Sequence, residues 1–273
     1  MTTPSLADKR RAFRQLHQSG CFVIPNPWDV GSARYLQSLG FKALASTSAG
    51  FAWSRACADN QVSREMVLEH LRELVEASDL PVNADFENGF ARDAAGVGES
   101  VRLAVETGVA GVSIEDSTGD AKDPLFALDV AVERMRAARK AIDQSGADVM
   151  LVGRAEGFIV GRNDLDDVIA RLKAYSDAGA DCLYAPLLKT REQIAAVVKA
   201  VAPRPVNVLM GWAGGLTVAD IAELGVRRIS VGGALASVAW TAFMNAARLI
   251  ANEGKFDGLT GSAGRELNPL FRK

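Results

Sequence analysis

The chain has 273 residues, of which 48% are hydrophobic and 23% are charged, an ordinary composition for a globular protein with a large core. Its formal net charge of −2 gives no electrostatic footprint for nucleic acid or for an anionic membrane. The three cysteines are widely spaced, the N-terminus lacks the apolar core of a signal peptide, and no apolar run approaches the roughly 20 residues that span a bilayer. We therefore expect a cytoplasmic protein that binds neither nucleic acid nor membrane.

The first helical segment carries a basic cluster, Lys9-Arg10-Arg11 followed by Arg14. These residues alternate with apolar ones, a pattern typical of the solvated face of an amphipathic helix. We therefore expect their charges to face solvent.

A recurring pattern organises the rest of the chain: a helix ends in glycine, and a short apolar strand follows. The pattern recurs around Gly40, Gly108, Gly179 and Gly225. A glycine just past a helix end adopts the left-handed conformation at low cost and turns the chain into the next strand. The strands are nearly continuous apolar runs, as expected where both faces of a parallel strand are buried.

Eight strands are predicted in all. They lie near residues 21–27, 43–47, 82–86, 111–116, 149–155, 182–187, 206–210 and 228–232. Amphipathic helices separate them, for example over 164–178 and after the N-cap residue Ser63. This alternation favours an α/β fold, a (β/α)8 TIM barrel, with a doubly wound open sheet as the alternative. No linker interrupts the pattern, so residues 1–273 are expected to form a single domain with its barrel at about 20–240.

The C-terminal part of the chain, 241–273, extends beyond that barrel. Residues 234–252 form an apolar helix whose hydrophobic residues cover more of the circumference than one buried face requires. This indicates either a deeply buried helix or a subunit interface. The tail over 253–273 is Gly-rich and polar, and we expect it to be a surface extension.

Charged residues stand at three predicted strand ends, where barrel enzymes carry their chemistry. Asp85 and Glu87 share one face of the third strand by alternation, Glu115 ends the fourth, and Arg154 and Glu156 end the fifth. Carboxylates that converge on one mouth repel each other unless a cation or shared protons compensate. An all-oxygen set without His or Cys suits Mg²⁺ or Mn²⁺ better than zinc. Ion pairing or helix capping is the alternative for each acid taken singly.

Five segments resemble one known family. They are NPWDVGSAR (26–34), STSAGFAW (46–53), NADFENGFA (83–91), GVSIED (111–116) and GRAEGF (153–158). In this order and spacing they look like the isocitrate lyase/phosphoenolpyruvate mutase superfamily. The resemblance covers roughly residues 20–240 and implies a Mg²⁺-dependent barrel enzyme whose chemistry passes through, or close to, the enolate of pyruvate.

The resemblance implies a role for each acid of the mouth. Asp85 matches the principal metal-binding acid, and Glu87 matches the second acid of the family's D-x-D pair, here lengthened from Asp. Glu115 matches the glutamate after the fourth strand, and Asp59 matches an acid in the loop after the second strand. Family members hold Mg²⁺ largely through water.

The resemblance also implies how a substrate would bind. Thr47, Ser48 and Ala49 match the segment that cradles the substrate carboxylate, and Arg154 matches the arginine that binds the anionic end. Asn207 lies in the seventh strand and is a further candidate for lining the pocket. Family members are usually tetramers with an exchanged C-terminal helix, so a homo-oligomer, either dimer or tetramer, is expected.

The loop over 117–124 departs from the family pattern. It reads STGDAKDP, without the catalytic cysteine that the best-known lyases carry in a Lys-Lys-Cys-Gly-His-like run. Lys122 and Asp120 can exchange a proton there if the loop closes, although solvated charges are the alternative interpretation. Cys57 is the only cysteine near the predicted site, and packing is the better interpretation for it.

These observations predict a Mg²⁺-dependent lyase that cleaves a C–C bond of a small 2-oxo or 2-hydroxy di- or tricarboxylate, either oxaloacetate-like or methylisocitrate-like. The first alternative is C–P chemistry, as in a phosphonopyruvate or phosphoenolpyruvate mutase or hydrolase. The second is a non-catalytic barrel that binds an oxo-acid. Glycine pairs after the last two strands also permit a phosphosugar enzyme, but that function leaves the acids unexplained.

Overall fold

The computed structural model describes residues 3–272, which form eight strands and eleven helices. The strands are β1 (Phe22–Ile24), β2 (Leu44–Ala45), β3 (Val82–Asp85), β4 (Gly111–Glu115), β5 (Met150–Arg154), β6 (Cys182–Tyr184), β7 (Val206–Leu209) and β8 (Arg228–Ser230). The helices are α1 (Leu6–Leu16), α2 (Val30–Ser38), α3 (Ser48–Ser54), α4 (Arg64–Ala77), α5 (Ala94–Glu106), α6 (Leu128–Ser145), α7 (Leu165–Asp177), α8 (Arg191–Val201), α9 (Val218–Glu223), α10 (Ala234–Glu253) and α11 (Gly264–Phe271).

The strands form one parallel sheet that curls into a nearly closed barrel. Each strand pairs with its sequence neighbour from β2 to β8, and β1 pairs with β8. The remaining seam, between β1 and β2, is bridged where the Ala45 N–H donates to the Pro25 carbonyl oxygen at 3.1 Å. All eight predicted strands are confirmed within their predicted bounds. The (β/α)8 barrel is confirmed, and the alternative of a doubly wound open sheet is wrong.

The helices start where capping side chains are available. Ser63 accepts a hydrogen bond from the Met66 N–H at the start of α4, and Asp164 accepts bonds from two N–H groups at the start of α7. Such caps satisfy donors that the helix itself leaves unpaired. Both predicted helices are thereby confirmed, with bounds that differ by a residue or two from the sequence pattern.

The barrel interior is filled by every second strand residue, because strand side chains alternate between faces. In β5, Met150 and Val152 belong to the buried interior cluster, and Arg154 follows them at the mouth. Phe13 of α1 plugs the opposite end of the barrel. A Cβ at Gly111 would lie 2.8 Å from the Phe13 ring and 2.5 Å from the Asn83 amide oxygen, so only glycine fits there.

The basic cluster of α1 is placed differently from its prediction as a solvated face. Lys9 is buried, and its Nζ donates to two carbonyls at the end of α4, at 3.0 and 2.5 Å. Arg10 donates to two carbonyls at and just after the end of α5, both at 3.0 Å, while Arg11 stays exposed. The physical reason is that helices α4 and α5 end beside α1 and present unpaired carbonyls to its cations.

The C-terminal helix α10 stands largely outside the packed molecule. Among its residues only Ala236 is buried, while Val238 is 68% exposed and Phe243 is 62% exposed. The interpretation of a deeply buried helix is therefore wrong for the single chain. The tail behind α10 was expected to be a surface extension, but it ends in α11, which packs on α2 through a Tyr35–Glu266 hydrogen bond of 2.9 Å.

Within residues 3–272, α10 is also the one helix long and apolar enough to cross a membrane, judged by length and composition alone. This corrects the expectation that no apolar run approaches that length. One such helix is weak evidence for a membrane span, because core helices of soluble proteins meet the same criteria.

Candidate active site

The mouth of the barrel is centred on the guanidinium of Arg154. Its Nη1 lies 3.2 Å from Asp85 and 3.3 Å from Glu115, and its Nε lies 2.5 Å from Glu156. In the register of β3, β4 and β5, Glu115 pairs with Arg154, while Asp85 pairs with Ser113, two residues before Glu115. All three residues end their strands at the same mouth, and the Arg154 side chain contacts both acids. The sequence-predicted acids and arginine are thus brought together, with Glu156 as an additional member.

Burial makes this charge cluster electrostatically strong. Burial raises the pKa of Glu115 well above its ordinary value; Arg154 opposes the rise, and the neighbouring carboxylates of Glu156 and Asp85 add to it. Burial also raises the pKa of Glu156. For Arg154, burial alone would lower the pKa, but Glu156 and Glu115 raise it well above the ordinary range. Several carboxylates therefore share one buried cation.

Asp85 is oriented by the segment that follows β2. The Ser48 N–H donates to Asp85 Oδ2 at 3.0 Å, and the Asp85 N–H donates to the Ser46 hydroxyl at 2.8 Å. Ser46 is in turn held because its N–H donates to the Asn83 carbonyl at 2.9 Å. The carboxylate is therefore fixed on one oxygen by a backbone amide and on the other by Arg154.

Glu87 reaches the mouth through a turn rather than through strand alternation. Strand β3 ends at Asp85, and φ is then positive at Glu87 (48°), Gly89 (79°) and Phe90 (55°). The left-handed region is costly for side-chain-bearing residues, about 1–3 kcal/mol each, and such outliers gather at functional sites. The Glu87 carbonyl accepts from the Glu115 N–H at 3.0 Å, which ties this turn to β4.

The Glu87 carboxyl group is buried, 7% exposed, and its Oε1 has no hydrogen-bond partner within residues 3–272. Burial raises its pKa to about 8, with further contributions from Asp85 and Asp59. A buried carboxylate oxygen without a donor is costly, and a bound hard cation would supply the missing partner. In the described part of the chain no three His, Cys, Asp or Glu side chains are already arranged to hold a metal ion, and Arg154 lies among the acids, paired with Asp85 and Glu115. The all-oxygen donor set and the unpartnered Glu87 nonetheless fit Mg²⁺ or Mn²⁺.

The raised pKa of Glu87 predicts a pH-dependent stability of the metal-free protein. A carboxyl group with a pKa of about 8 when folded contributes stability that is complete below its unfolded pKa and is lost as pH rises through 8. Glu87→Gln removes the cost of ionising this buried group. In EDTA at pH 8.5 the free energy of unfolding of the variant should therefore exceed that of wild type by about 1–3 kcal/mol, whereas at pH 5 the two values should be equal. Urea titrations at both pH values measure the difference. The exposed control Glu76→Gln should be as stable as wild type at both pH values. If the stability of E87Q changed with pH in the same way as that of wild type, the raised pKa of Glu87 would be contradicted.

Asp116 is a buried anchor that the sequence analysis did not assign. Its carboxylate accepts from the Glu156 N–H at 2.8 Å, from Arg171 Nη1 at 3.0 Å and from the Tyr175 hydroxyl at 2.6 Å. It therefore joins the ends of β4 and β5 to α7 directly behind Arg154. The signal in the sequence was the second acid of the GVSIED segment, next to Glu115.

The segment Thr47–Ala49 forms the first turn of α3. Thr47 is the N-cap and accepts from the Gly50 N–H at 3.3 Å, while the Ser48 N–H binds Asp85. The Ala49 N–H belongs to the same turn, where the helix itself offers no acceptor. Asn26, a further residue that the sequence analysis did not assign, supports this turn by donating to the Ser46 carbonyl at 2.9 Å.

Three predicted site residues lie apart from the Arg154 cluster. Asp59 is an exposed residue in the loop after α3. The loss of solvent around its carboxyl group, and then the charge of Asp85, nevertheless raise its pKa, so Asp59 lies at the rim of the mouth. Lys122 is exposed in the loop after β4, and its side chain has no hydrogen bond or ion pair within residues 3–272. Asn207 is 0% exposed, and its amide binds Ser230 at 2.9 Å and Arg228 at 2.8 Å. Their functional roles stay predictions.

Comparisons with known proteins identify the family. A family model described as phosphoenolpyruvate phosphomutase matches residues 13–251. An oxaloacetate decarboxylase from Paraburkholderia xenovorans is 30% identical over 95% of this chain and 88% of its own length. A crystal structure from Burkholderia cenocepacia J2315 is 49% identical, covers 97% of both chains and superposes with a TM-score of 0.94.

A second crystal structure, that of 2,3-dimethylmalate lyase, carries the name of the superfamily. It is 26% identical, covers 99% of this chain and 95% of its own, and superposes with a TM-score of 0.84. The family model spans most of the chain, and the barrel and its mouth agree with this assignment. The chain therefore belongs to the phosphoenolpyruvate mutase/isocitrate lyase superfamily and is one of its enzymes.

Proposed function

We propose that the protein is a Mg²⁺-dependent lyase that cleaves a C–C bond of a small 2-oxo or 2-hydroxy dicarboxylate. The observation that carries the proposal is the largely buried Arg154, which is paired with Asp85, Glu115 and Glu156 at a mouth that also holds the unpartnered carboxyl group of Glu87. The substrate class is supported by an oxaloacetate decarboxylase among the relatives and a 2,3-dimethylmalate lyase among the structural neighbours.

Arg154 offers one side of its guanidinium to a substrate. Its three ion pairs within residues 3–272 use Nε and Nη1, so Nη2 would be the donor to a substrate carboxylate. A planar guanidinium recognises a carboxylate with defined geometry. The Ala49 N–H at the first turn of α3 supplies a second donor, so the two would hold the two ends of a small oxo-acid and orient the bond to be broken.

Asp85, Glu87 and Glu115 would hold the cation, with Asp59 reaching it through water. When bound, Mg²⁺ supplies Lewis acidity that favours the negative charge that develops on the substrate oxygen as the C–C bond breaks. The chain's own contribution is to present oxygen ligands in a buried setting and to keep Arg154 charged beside them. Asp59 and Lys122 are exposed at the rim and are our candidates for exchanging a proton with the product carbon.

A substrate panel tests the proposal. Oxaloacetate, 2,3-dimethylmalate, 2-methylisocitrate, isocitrate and phosphonopyruvate are each incubated with Mg²⁺ and with EDTA, and products are identified by NMR. We expect turnover of a dicarboxylate in the Mg²⁺ arm alone. Turnover of phosphonopyruvate alone would establish the C–P alternative, and turnover that resists EDTA would refute the metal. Tight binding of oxo-acids by calorimetry without turnover would establish the non-catalytic alternative.

We further propose that α10 packs on a second copy of the chain in a homo-oligomer. Its exposed apolar residues include Val238 and Phe243. An apolar cavity of about 660 Å³ lies between α2, α11 and the start of α10, and it is lined by Trp28, Tyr35 and Phe41 among others. Exposed apolar surface of this kind is typical of subunit interfaces.

Charge on α10 should therefore dissociate the oligomer. The double variant Val238→Glu/Phe243→Glu should elute as a folded monomer, since each carboxylate would have to be desolvated in the interface. Light scattering coupled to size exclusion measures the mass, and circular dichroism checks the fold. Asn252→Glu, near the exposed end of the same helix, is the control and should keep the wild-type mass. A wild-type protein that is monomeric at micromolar concentration would refute the proposed assembly.

A further inference from the structure

Arg134 of α6 is a buried arginine that the proposed chemistry does not use. It is 1% exposed, and within residues 3–272 it forms no ion pair with a carboxylate. Its Nη1 donates to the carbonyl oxygens of Ala91 (2.6 Å) and Arg92 (2.5 Å), and its Nη2 donates to the carbonyl oxygen of Asn88. Burying a charged group is costly unless hydrogen bonds compensate, so this guanidinium depends on main-chain acceptors for its stability.

All three acceptors lie in the loop that begins with Glu87. That loop contains three positive φ angles within four residues, at Glu87, Gly89 and Phe90. Two of these belong to residues with side chains, which the surrounding structure must hold in place. Three charge-assisted hydrogen bonds, to Asn88 at the start of the loop and to Ala91 and Arg92 beyond Phe90, provide such a constraint.

The same guanidinium also contacts the segment that follows Glu115. Its Cζ lies 4.0 Å from the centroid of the Phe126 ring, a cation–π contact. Phe126 is itself anchored to the end of β4, because its N–H donates to the Asp116 carbonyl at 2.9 Å. Arg134 thereby contacts both the loop that contains Glu87 and the segment that follows Glu115.

We infer that Arg134 is a positioning residue for the mouth. It holds the turn at Glu87 against the segment after β4 and thereby fixes the position of the Glu87 carboxylate. The inference rests on the proposed function only for the identity of the ion that Glu87 meets. The contacts by which Arg134 holds the turn are present in the metal-free chain. The expected consequence of removing them, for a metal site, is the one known for outer partners of ligands, a loss of about 10- to 100-fold in metal affinity.

The test compares Arg134→Lys, Arg134→Met and the control Arg136→Met, an exposed arginine two residues along α6. Hydrogen exchange of the metal-free proteins is read for peptides that cover 86–92, and Mn²⁺ affinity is read by titration calorimetry. We expect faster exchange over 86–92 and 10- to 100-fold weaker Mn²⁺ binding in R134M, with R134K intermediate, because an ammonium group bonds the carbonyls but stacks less well on Phe126.

The two readouts separate the possible failures. If wild type binds no Mn²⁺, the metal dependence of the proposed function is refuted. The hydrogen-exchange data still decide whether Arg134 holds the loop. If R134M and R134K lower the melting temperature but leave both the exchange over 86–92 and the Mn²⁺ affinity at wild-type values, Arg134 is only a structural residue and the inference is overturned. Should R134M fail to fold, R134K supplies the same two readouts.

Discussion

Asp85→Ala is expected to abolish Mg²⁺-dependent turnover, with a loss in kcat/KM of at least about 10³-fold, which corresponds to about 4 kcal/mol of transition-state stabilisation. Asp85 is fixed by the Ser48 N–H at 3.0 Å and by Arg154 at 3.2 Å, so its oxygens stand between the α3 turn and the charge cluster. Its removal takes away a proposed ligand. It also releases Arg154 toward Glu115 and Glu156 alone.

The measurement is steady-state kinetics with the active substrate of the panel, at several Mg²⁺ concentrations. Asp177→Asn is the control, because it removes an exposed carboxylate at the end of α7, on another part of the surface. D85A should be as stable as wild type, or slightly more stable in EDTA, because it removes one of several mutually repelling carboxylates. Turnover within tenfold of wild type would remove Asp85 from the proposed site.

The second large effect is expected at Arg154, where two substitutions distinguish the role of the charge from the role of the guanidinium shape. Arg154→Lys keeps a cation, but a single ammonium cannot reproduce the contacts of Nε and Nη1 and also offer a fork to the substrate. We expect kcat/KM to fall by about 10²- to 10³-fold, with most of the loss in KM if Arg154 only binds substrate and in both parameters if it also stabilises developing charge.

Arg154→Met should instead act on stability. It leaves Asp85, Glu115 and Glu156 without their shared counter-charge, and removal of one partner from a buried pair costs about 3–5 kcal/mol. The pKa values of Glu115 and Glu156 are already raised, and the loss of Arg154 raises them further. Carboxyl groups with raised folded-state pKa values lose their stabilising contribution as pH rises, so the R154M defect should be larger at pH 8 than at pH 5.

Urea unfolding at the two pH values measures this effect. Arg102→Met is the matched control, since Arg102 also contacts two carboxylates, Glu99 and Glu106, but on the exposed face of α5. Exposed ion pairs contribute little, about 0–1 kcal/mol, and we expect a correspondingly small and nearly pH-independent change there. Equal losses for the two variants would mean that the Arg154 cluster is solvated and unsuited to the proposed chemistry.

Several features of the protein were determined by the sequence alone. Glycines at helix ends and continuous apolar runs identified all eight strands, because these patterns are local and each strand is buried on both faces. The barrel followed from their number and alternation. Asp85, Glu115 and Arg154 could be predicted together because the ends of neighbouring parallel strands lie side by side.

The tertiary structure alone decided the features that depend on contacts between distant segments. Glu87 reaches the mouth through a left-handed turn that strand alternation does not describe. Arg134 of α6 holds that turn through hydrogen bonds to residues 42 to 46 positions earlier in the chain. Lys9 binds helix-end carbonyls instead of water, and Asn207 is enclosed by Ser230 and Arg228. In each case the partner is a main-chain group or a residue far away in sequence. Local periodicity carries no information about such partners, because they are brought together only when the barrel closes.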